Sequence, residues 1–188
     1  SCASRFPPRL RRSGGPSPST LGFTMNSARP LTVWFLFVFF LWAVGKDFQL
    51  MVTHQQGLDY AIFGFHNQHL LFFAFLSAIF LLDFAGSYFL LHPQPVGFWV
   101  CLAAIGVNLI YNGTALSYAL SDLDGTREAY ALSRELKGLP TREANLDKIF
   151  TTEGMKAAFG LASSFALLAT GLLVYNRKYF SPHLPDET

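Results

Sequence analysis

The sequence contains few charged residues and almost no cysteine. Only 14% of its 188 residues are Asp, Glu, Lys or Arg, and long segments have none of them. Disordered chains need low hydrophobicity and high charge, and disulfide-stabilised secreted domains need many cysteines, so both classes are excluded. Cys2 lies in the N-terminal segment and Cys101 in an apolar run, which indicates no redox compartment.

The signatures of the common soluble enzymes are also missing. There is no Walker motif, dinucleotide-binding glycine pattern, His-Glu-x-x-His, Cys-x-x-Cys or nucleophile elbow. Because the 14 Lys and Arg residues nearly balance 12 Asp and Glu, with no dense basic patch beyond the N-terminal tail, nucleic acid is not expected as a partner. These absences favour a non-enzymatic protein, and no cofactor is identified.

The sequence does have a large excess of apolar residues. Hydrophobic residues make up 51% of the chain, which includes 20 phenylalanines. They are gathered into four runs, at about residues 31–52, 68–91, 96–120 and 157–175. Since about 20 apolar residues suffice to cross a bilayer as a helix, the sequence predicts an all-α integral membrane bundle of about four transmembrane helices over residues 31–180, with the lipid bilayer as partner.

The first run allows two interpretations. Its uncharged part, residues 31–45, would be roughly 22 Å long as a helix, so it spans a membrane only if it continues past Lys46 and Asp47. This shortness, after a basic flank, also suits a cleaved signal peptide. Trp34 and Trp42 lie where interfacial anchors are expected and favour a retained helix.

The connections predict how the runs are arranged. A short proline-containing turn after Leu91 makes the second and third runs an antiparallel hairpin. Residues 121–156 form the polar loop between the third and fourth runs. Within it, residues 128–137 and 142–150 have amphipathic patterns that predict two short helices, so the loop is expected to be a partly helical cap.

The two ends of the chain are basic. Residues 1–30 contain five arginines and no acidic residue, which is typical of a transit peptide. A fragment of a longer product, or translated sequence upstream of a start at Met25, would explain the same segment. With the short tail at residues 181–188, the ends hold more Lys and Arg than acids, so both termini are expected on the cytoplasmic side, of a membrane that the sequence does not identify.

Small residues in the third and fourth runs predict close helix packing. In the fourth run they recur every four residues: Ala158, Ala162, Ala166 and Thr170. Within lipid, such faces let helices approach closely. We therefore expect an accessory or scaffold subunit of a membrane complex, or a homo-oligomer, or a binder of a lipophilic molecule.

Asp83 is the acidic residue that lies deepest in an apolar run. In the antiparallel hairpin it falls level with Ala104, about one turn from Asn108, and Tyr111 follows on the same seam. A carboxyl group in lipid must be protonated, hydrogen-bonded or turned to a polar interior. Asp83, Asn108 and Tyr111 are therefore the candidate intramembrane polar residues, and Asp83 also allows a proton-coupled carrier.

Three histidines are expected near one membrane face. His66 and His69 are three residues apart on one helix face, and His54 reaches the same side. Imidazole together with nearby carboxylates suits Zn, Fe or Mn, so a metal site is one hypothesis, and with it a metal-dependent membrane enzyme. Histidines that bind no metal are commoner at such interfaces, and a haem held between two spans is less favoured because the third and fourth runs contain no histidine.

Overall fold

The computed structural model describes residues 29–141, 146–147 and 149–181. Within this part of the chain every regular element is helical, and four helices are long and apolar enough to cross a membrane, which confirms the predicted fold class. The helices are α1 (Leu31–Val52), α2 (Leu58–Phe65), α3 (His69–Leu91), α4 (Pro95–Ser121), α5 (Leu123–Leu136) and α6 (Thr152–Tyr175). Short 3-10 turns follow α1 at His54–Gln56 and α6 at Arg177–Phe180.

The long helices α1, α3, α4 and α6 have 22, 23, 27 and 24 residues. At about 1.5 Å per residue each exceeds the ~30 Å hydrocarbon core. The uncharged part of the first run, residues 31–45, is the N-terminal part of α1, which continues without interruption through Lys46 and Asp47 to Val52. In lipid a helix satisfies all its internal backbone hydrogen bonds, so the apolar composition of these segments is enough to favour it.

Side-chain caps determine where the helices of the polar loop begin. The amide of Gly125 donates to Asp122 Oδ1 at 2.8 Å, so α5 starts at Leu123, five residues before the predicted start of the helix. The amide of Gly154 donates to Thr151 Oγ1 at 3.0 Å, and α6 begins at Thr152. For the second helix predicted in this loop, over residues 142–150, residues 142–145 and 148 lie outside the described residues.

The four long helices form a bundle in which sequence neighbours are antiparallel. α3 packs against both α1 and α4, and α4 packs against α6. One apolar cluster, around Leu36, Phe40, Cys101 and Leu173, joins α1, α4 and α6. A second cluster around Phe63, Phe72, Leu76 and Tyr111 joins α2, α3 and α4. The core therefore has two parts, one toward each end of the bundle.

Both ends of the described chain lie at the same end of the bundle. There the Arg29 guanidinium donates to the carbonyl of Leu91 at 2.8 Å, and the Tyr179 hydroxyl donates to the carbonyl of Leu90 at 2.8 Å. Burial raises the pKa of Tyr179 above its ordinary value. The cytoplasmic placement of the termini stays a prediction, and residues 1–28 and 182–188 lie outside the described residues.

The opposite end of the bundle is covered by the two short helices α2 and α5, which pack on each other. The Ser133 hydroxyl donates to the carbonyl of Gln56 and so ties α5 to the first 3-10 turn. Arg127 of α5 pairs with Asp147 at 2.8 Å. The polar loop thus caps the bundle and packs on the short helix α2, which lies between the first and second runs and was not predicted as a separate helix.

Candidate functional site: a cavity between α1, α4 and α6

A cavity of about 410 Å³ lies between α1 and α6, with α4 as its back wall. Most of its lining is apolar. The aromatic lining residues are Phe35, Phe39, Phe40, Trp42 and Phe165, and the small ones are Ala43, Ala104, Ala162 and Ala166. The cavity is therefore a mainly apolar space within the membrane-spanning part of the bundle.

The cavity exists because α1 and α6 touch at one end and are separated further along. At that end the Thr32 hydroxyl donates to Asn176 Oδ1 at 2.9 Å. Further from this contact, the facing side chains are mostly large on α1 and small on α6. Ala162 and Ala166 fill little volume, so the space between α1 and α6 stays open.

Polar side chains form one edge of the cavity. Lys46, Asp83, Asn108 and Asn112 all line it. The Asn112 amide donates to Asn108 Oδ1 at 2.6 Å and to the Asn108 carbonyl at 2.8 Å, so the two asparagines form one unit on α4. An apolar wall with a few polar groups at one edge is the usual construction of a pocket for a small organic molecule.

Behind this edge Asp83 meets a second buried acid, Asp47 of α1. The side chains are almost fully buried, Asp47 being 2% and Asp83 5% exposed, and the two carboxyl groups lie close to each other where α1 packs against α3. Lys46 Nζ is 3.3 Å from Asp47 Oδ1. Among the described residues, neither Asp47 Oδ2 nor Asp83 Oδ2 has a hydrogen-bond partner. Two carboxyl groups therefore share one nearby ammonium.

The hairpin register places Asp83 and Ala104 on the same cavity, together with Asn108. Sequence analysis singled out Asp83 and Asn108 but missed Asp47, because Asp47 follows a lysine at the end of the uncharged run and reads as an interfacial residue. Only the antiparallel packing of α1 on α3 brings the two acids together. The sequence contains no local signal for that pairing.

Tyr111 lies apart from the cavity. Its hydroxyl donates to Asp59 Oδ2 at 2.6 Å, and its ring stacks on Phe63 at a centroid distance of 5.8 Å. It thereby fastens α2 to α4 in the second apolar cluster. A smaller cavity of about 200 Å³ next to Asp59 shares Asn112 and Ala162 with the larger one, so the two cavities are neighbours.

Each of the three histidine rings lies against a tyrosine ring. The His54 and His69 rings each contact Tyr60, at centroid distances of 4.8 Å. The His66 ring stacks on Tyr118 at 4.5 Å, and its Nε2 lies 3.3 Å from the Tyr118 carbonyl oxygen. In the described part of the chain no cluster of three or more His, Cys, Asp or Glu suited to a metal ion is found, and metal binding by these histidines stays a prediction.

The fold and the site define a class of protein. Four membrane-crossing helices and a short-helix cap make the chain a small polytopic α-helical membrane protein with an internal, laterally placed cavity. Comparison of the chain with protein-family models, with curated proteins and with solved structures finds no match.

Proposed function

We propose that the protein binds a lipophilic molecule within the membrane, in the cavity between α1, α4 and α6. The observation that carries this proposal is the cavity itself, whose volume of about 410 Å³ falls among those of small-molecule pockets, roughly 300–1,000 Å³. Its aromatic wall suits a hydrocarbon chain or ring, and its polar edge suits the one polar group that most membrane-soluble molecules carry.

The positions of the lining residues support entry from the lipid. Trp42 of α1 is 64% exposed and Phe165 of α6 is 56% exposed, although both line the cavity. They therefore stand at its rim. The buried residues of α6 are Ala169 and Leu173, which lie near the end of the helix that contacts α1. The rest of α6 is less buried, so the cavity between α1 and α6 is open on the side that faces the lipid acyl chains.

Other roles stay predictions of the sequence. An accessory or scaffold role in a membrane complex depends on a partner. A metal-dependent enzyme would need the histidines to converge, and a proton-coupled carrier would need Asp83 to alternate between two sides. Binding of a lipophilic molecule is favoured over these three roles because the cavity that it requires is formed by the helices of this chain.

A tryptophan-quenching experiment in lipid nanodiscs tests the proposal. The chain has three tryptophans, so Trp34→Phe with Trp99→Phe leaves Trp42 as the only reporter, on the cavity rim. A long-chain alcohol with a bromine on its chain is the ligand. We expect saturable quenching of Trp42 at low mole fraction. Ala162→Phe, which fills the cavity from α6, should abolish the saturable part.

Two matched controls make the result specific. A variant that keeps only Trp99, which is as exposed as Trp42 at 61% but does not line the cavity, should show only the gradual quenching due to bulk lipid. Ala157→Phe adds the same ring to an exposed site on α6 outside the cavity lining and should leave Trp42 quenching unchanged. Equal, non-saturating quenching of Trp42 and Trp99 would refute the proposal.

A further inference from the structure

We propose that the ligand of this cavity is a single-chain amphiphile whose polar end is a protonated primary amine, which binds at Asp83 beside Lys46 and Asp47. This inference rests on the proposed function and adds the chemical class of the ligand. It follows from the charges and unpaired carboxyl oxygen atoms of Asp83, at the polar edge, and of Asp47 behind it, together with the apolar lining of the remaining cavity.

The first step is the charge count at the polar edge. Two buried carboxyl groups, of Asp47 and Asp83, face one ammonium group, and Lys46 Nζ lies 3.3 Å from Asp47 Oδ1. Asp83 has no cation of its own among the described residues. A buried carboxylate without a counter-ion is strongly unfavourable, so the second acid must take up either a proton or a further cation.

The second step is the hydrogen-bonding inventory. Asp47 Oδ2 and Asp83 Oδ2 are buried and without a donor in the described part of the chain. An ionised carboxylate only accepts hydrogen bonds, so the group that completes the site must donate them. A primary ammonium has three donors and one positive charge, and thus meets both needs at once.

Other head groups meet these needs less well. A carboxylate or phosphate would add a further negative charge beside two acids and is disfavoured by repulsion and desolvation. A hydroxyl donates one hydrogen bond but leaves the charge uncompensated. A proton shared by the two acids supplies the same donor when no amine is bound, and an amine binds by replacing that proton.

The apolar part of the cavity agrees with an alkylammonium ligand. Trp42, Phe39 and Phe165 line the space next to the polar edge. Aromatic faces pack against alkyl chains and also attract cations, so they tolerate the methylene groups and the ammonium alike. The chain of the ligand would extend from Asp83 along these rings toward the lipid.

The test compares three brominated ligands of equal chain length that end in a primary amine, a hydroxyl or a carboxylate. With the Trp42 reporter, we expect half-maximal quenching by the amine at a mole fraction about tenfold lower than by the alcohol, because one buried charge becomes compensated. The carboxylate should bind weakest. Asp83→Asn keeps the side-chain volume but removes the charge, and should reduce the amine to the level of the alcohol.

A second variant acts in the opposite direction and does not depend on the folding of Asp83→Asn. Lys46→Gln, at a side chain 48% exposed, removes the competing cation and should therefore strengthen binding of the amine relative to binding of the alcohol. If the alcohol binds but the amine is no better, or if the amine preference survives in Asp83→Asn, the amine assignment is wrong and the cavity still binds lipophiles. If none of the three ligands binds saturably, the proposed function itself fails.

Discussion

Gly86 of α3 provides a direct test of the packing that brings α1, α3 and α4 together. A Cβ atom at this position would lie 2.9 Å from Phe40 Cε1, 3.0 Å from Phe40 Cδ1 and 3.4 Å from Cys101 Sγ. Phe40 is 1% exposed and Cys101 is fully buried, so neither neighbour can move aside freely. The close approach of α1 to α3 therefore requires a residue without a side chain at Gly86.

The size of the effect follows from two opposing terms. Replacing a helical glycine by alanine favours the helix by about 1 kcal/mol. An extra methyl group in a well-packed core costs about 1–3 kcal/mol. Gly45 of α1 is the matched control, because nothing lies within 4 Å of its Cβ position. Gly45→Ala should be stabilising, and Gly86→Ala should be less stable than Gly45→Ala by about 1–3 kcal/mol.

The measurement is the free energy of unfolding of both variants in mixed micelles, titrated with a denaturing detergent and followed by near-UV circular dichroism. A double-mutant cycle with Phe40→Leu adds a check, since the smaller side chain should make Gly86→Ala less costly by roughly 0.5–3 kcal/mol. If Gly86→Ala is as stable as Gly45→Ala, the close packing of α1, α3 and α4 at this level is wrong.

Three further predictions concern the cap and the topology. Tyr111→Phe should lower the free energy of unfolding by about 1.5–3 kcal/mol, because Asp59 loses a charge-assisted hydrogen bond. In an Asp59→Asn background the same substitution should lower the free energy of unfolding by less, and an equal loss in both backgrounds would contradict the hydrogen bond between Tyr111 and Asp59. Ser133→Ala should lower the free energy of unfolding by about 1 kcal/mol and speed amide exchange in α5, because it removes the hydrogen bond from α5 to the first 3-10 turn. Unchanged amide exchange would show that this hydrogen bond does not hold α5 in place. In a Cys2→Ser background, cysteines introduced at Ser181 and Lys137 should react with an impermeant maleimide from opposite sides of a vesicle, while the native cysteine of α4 stays unreactive because it is buried; labelling from one side would refute the bundle.

Much of the fold was predictable because it depends on local properties of the chain. Long uncharged segments favour helices in lipid, where every backbone donor and acceptor needs a partner within the segment. The four-helix class and the helical character of the polar loop follow from this. The start of α5 was predicted too late because the capping role of Asp122 was not recognised, although Asp followed three residues later by Gly125 is a readable turn signal.

The candidate site was predictable in part. Asp83 stood out because a charge in an apolar run is costly wherever it lies, and the short turn between α3 and α4 placed it level with Ala104 and Asn108. For the histidines the spacing could not reveal their neighbours: Tyr60 lies against the rings of His54 and His69, and Tyr118 lies against the ring of His66. Metal binding by these histidines stays a prediction.

The sequence by itself therefore determined that this chain forms membrane-crossing helices, roughly where each one runs, and that one carboxyl group lies among them. Only the tertiary structure decided that Asp47 meets Asp83 and that a cavity opens between α1 and α6. The reason is physical: a helix forms from interactions within its own segment, whereas a pair or a cavity depends on which side chains of distant segments face each other and on how much volume they leave unfilled.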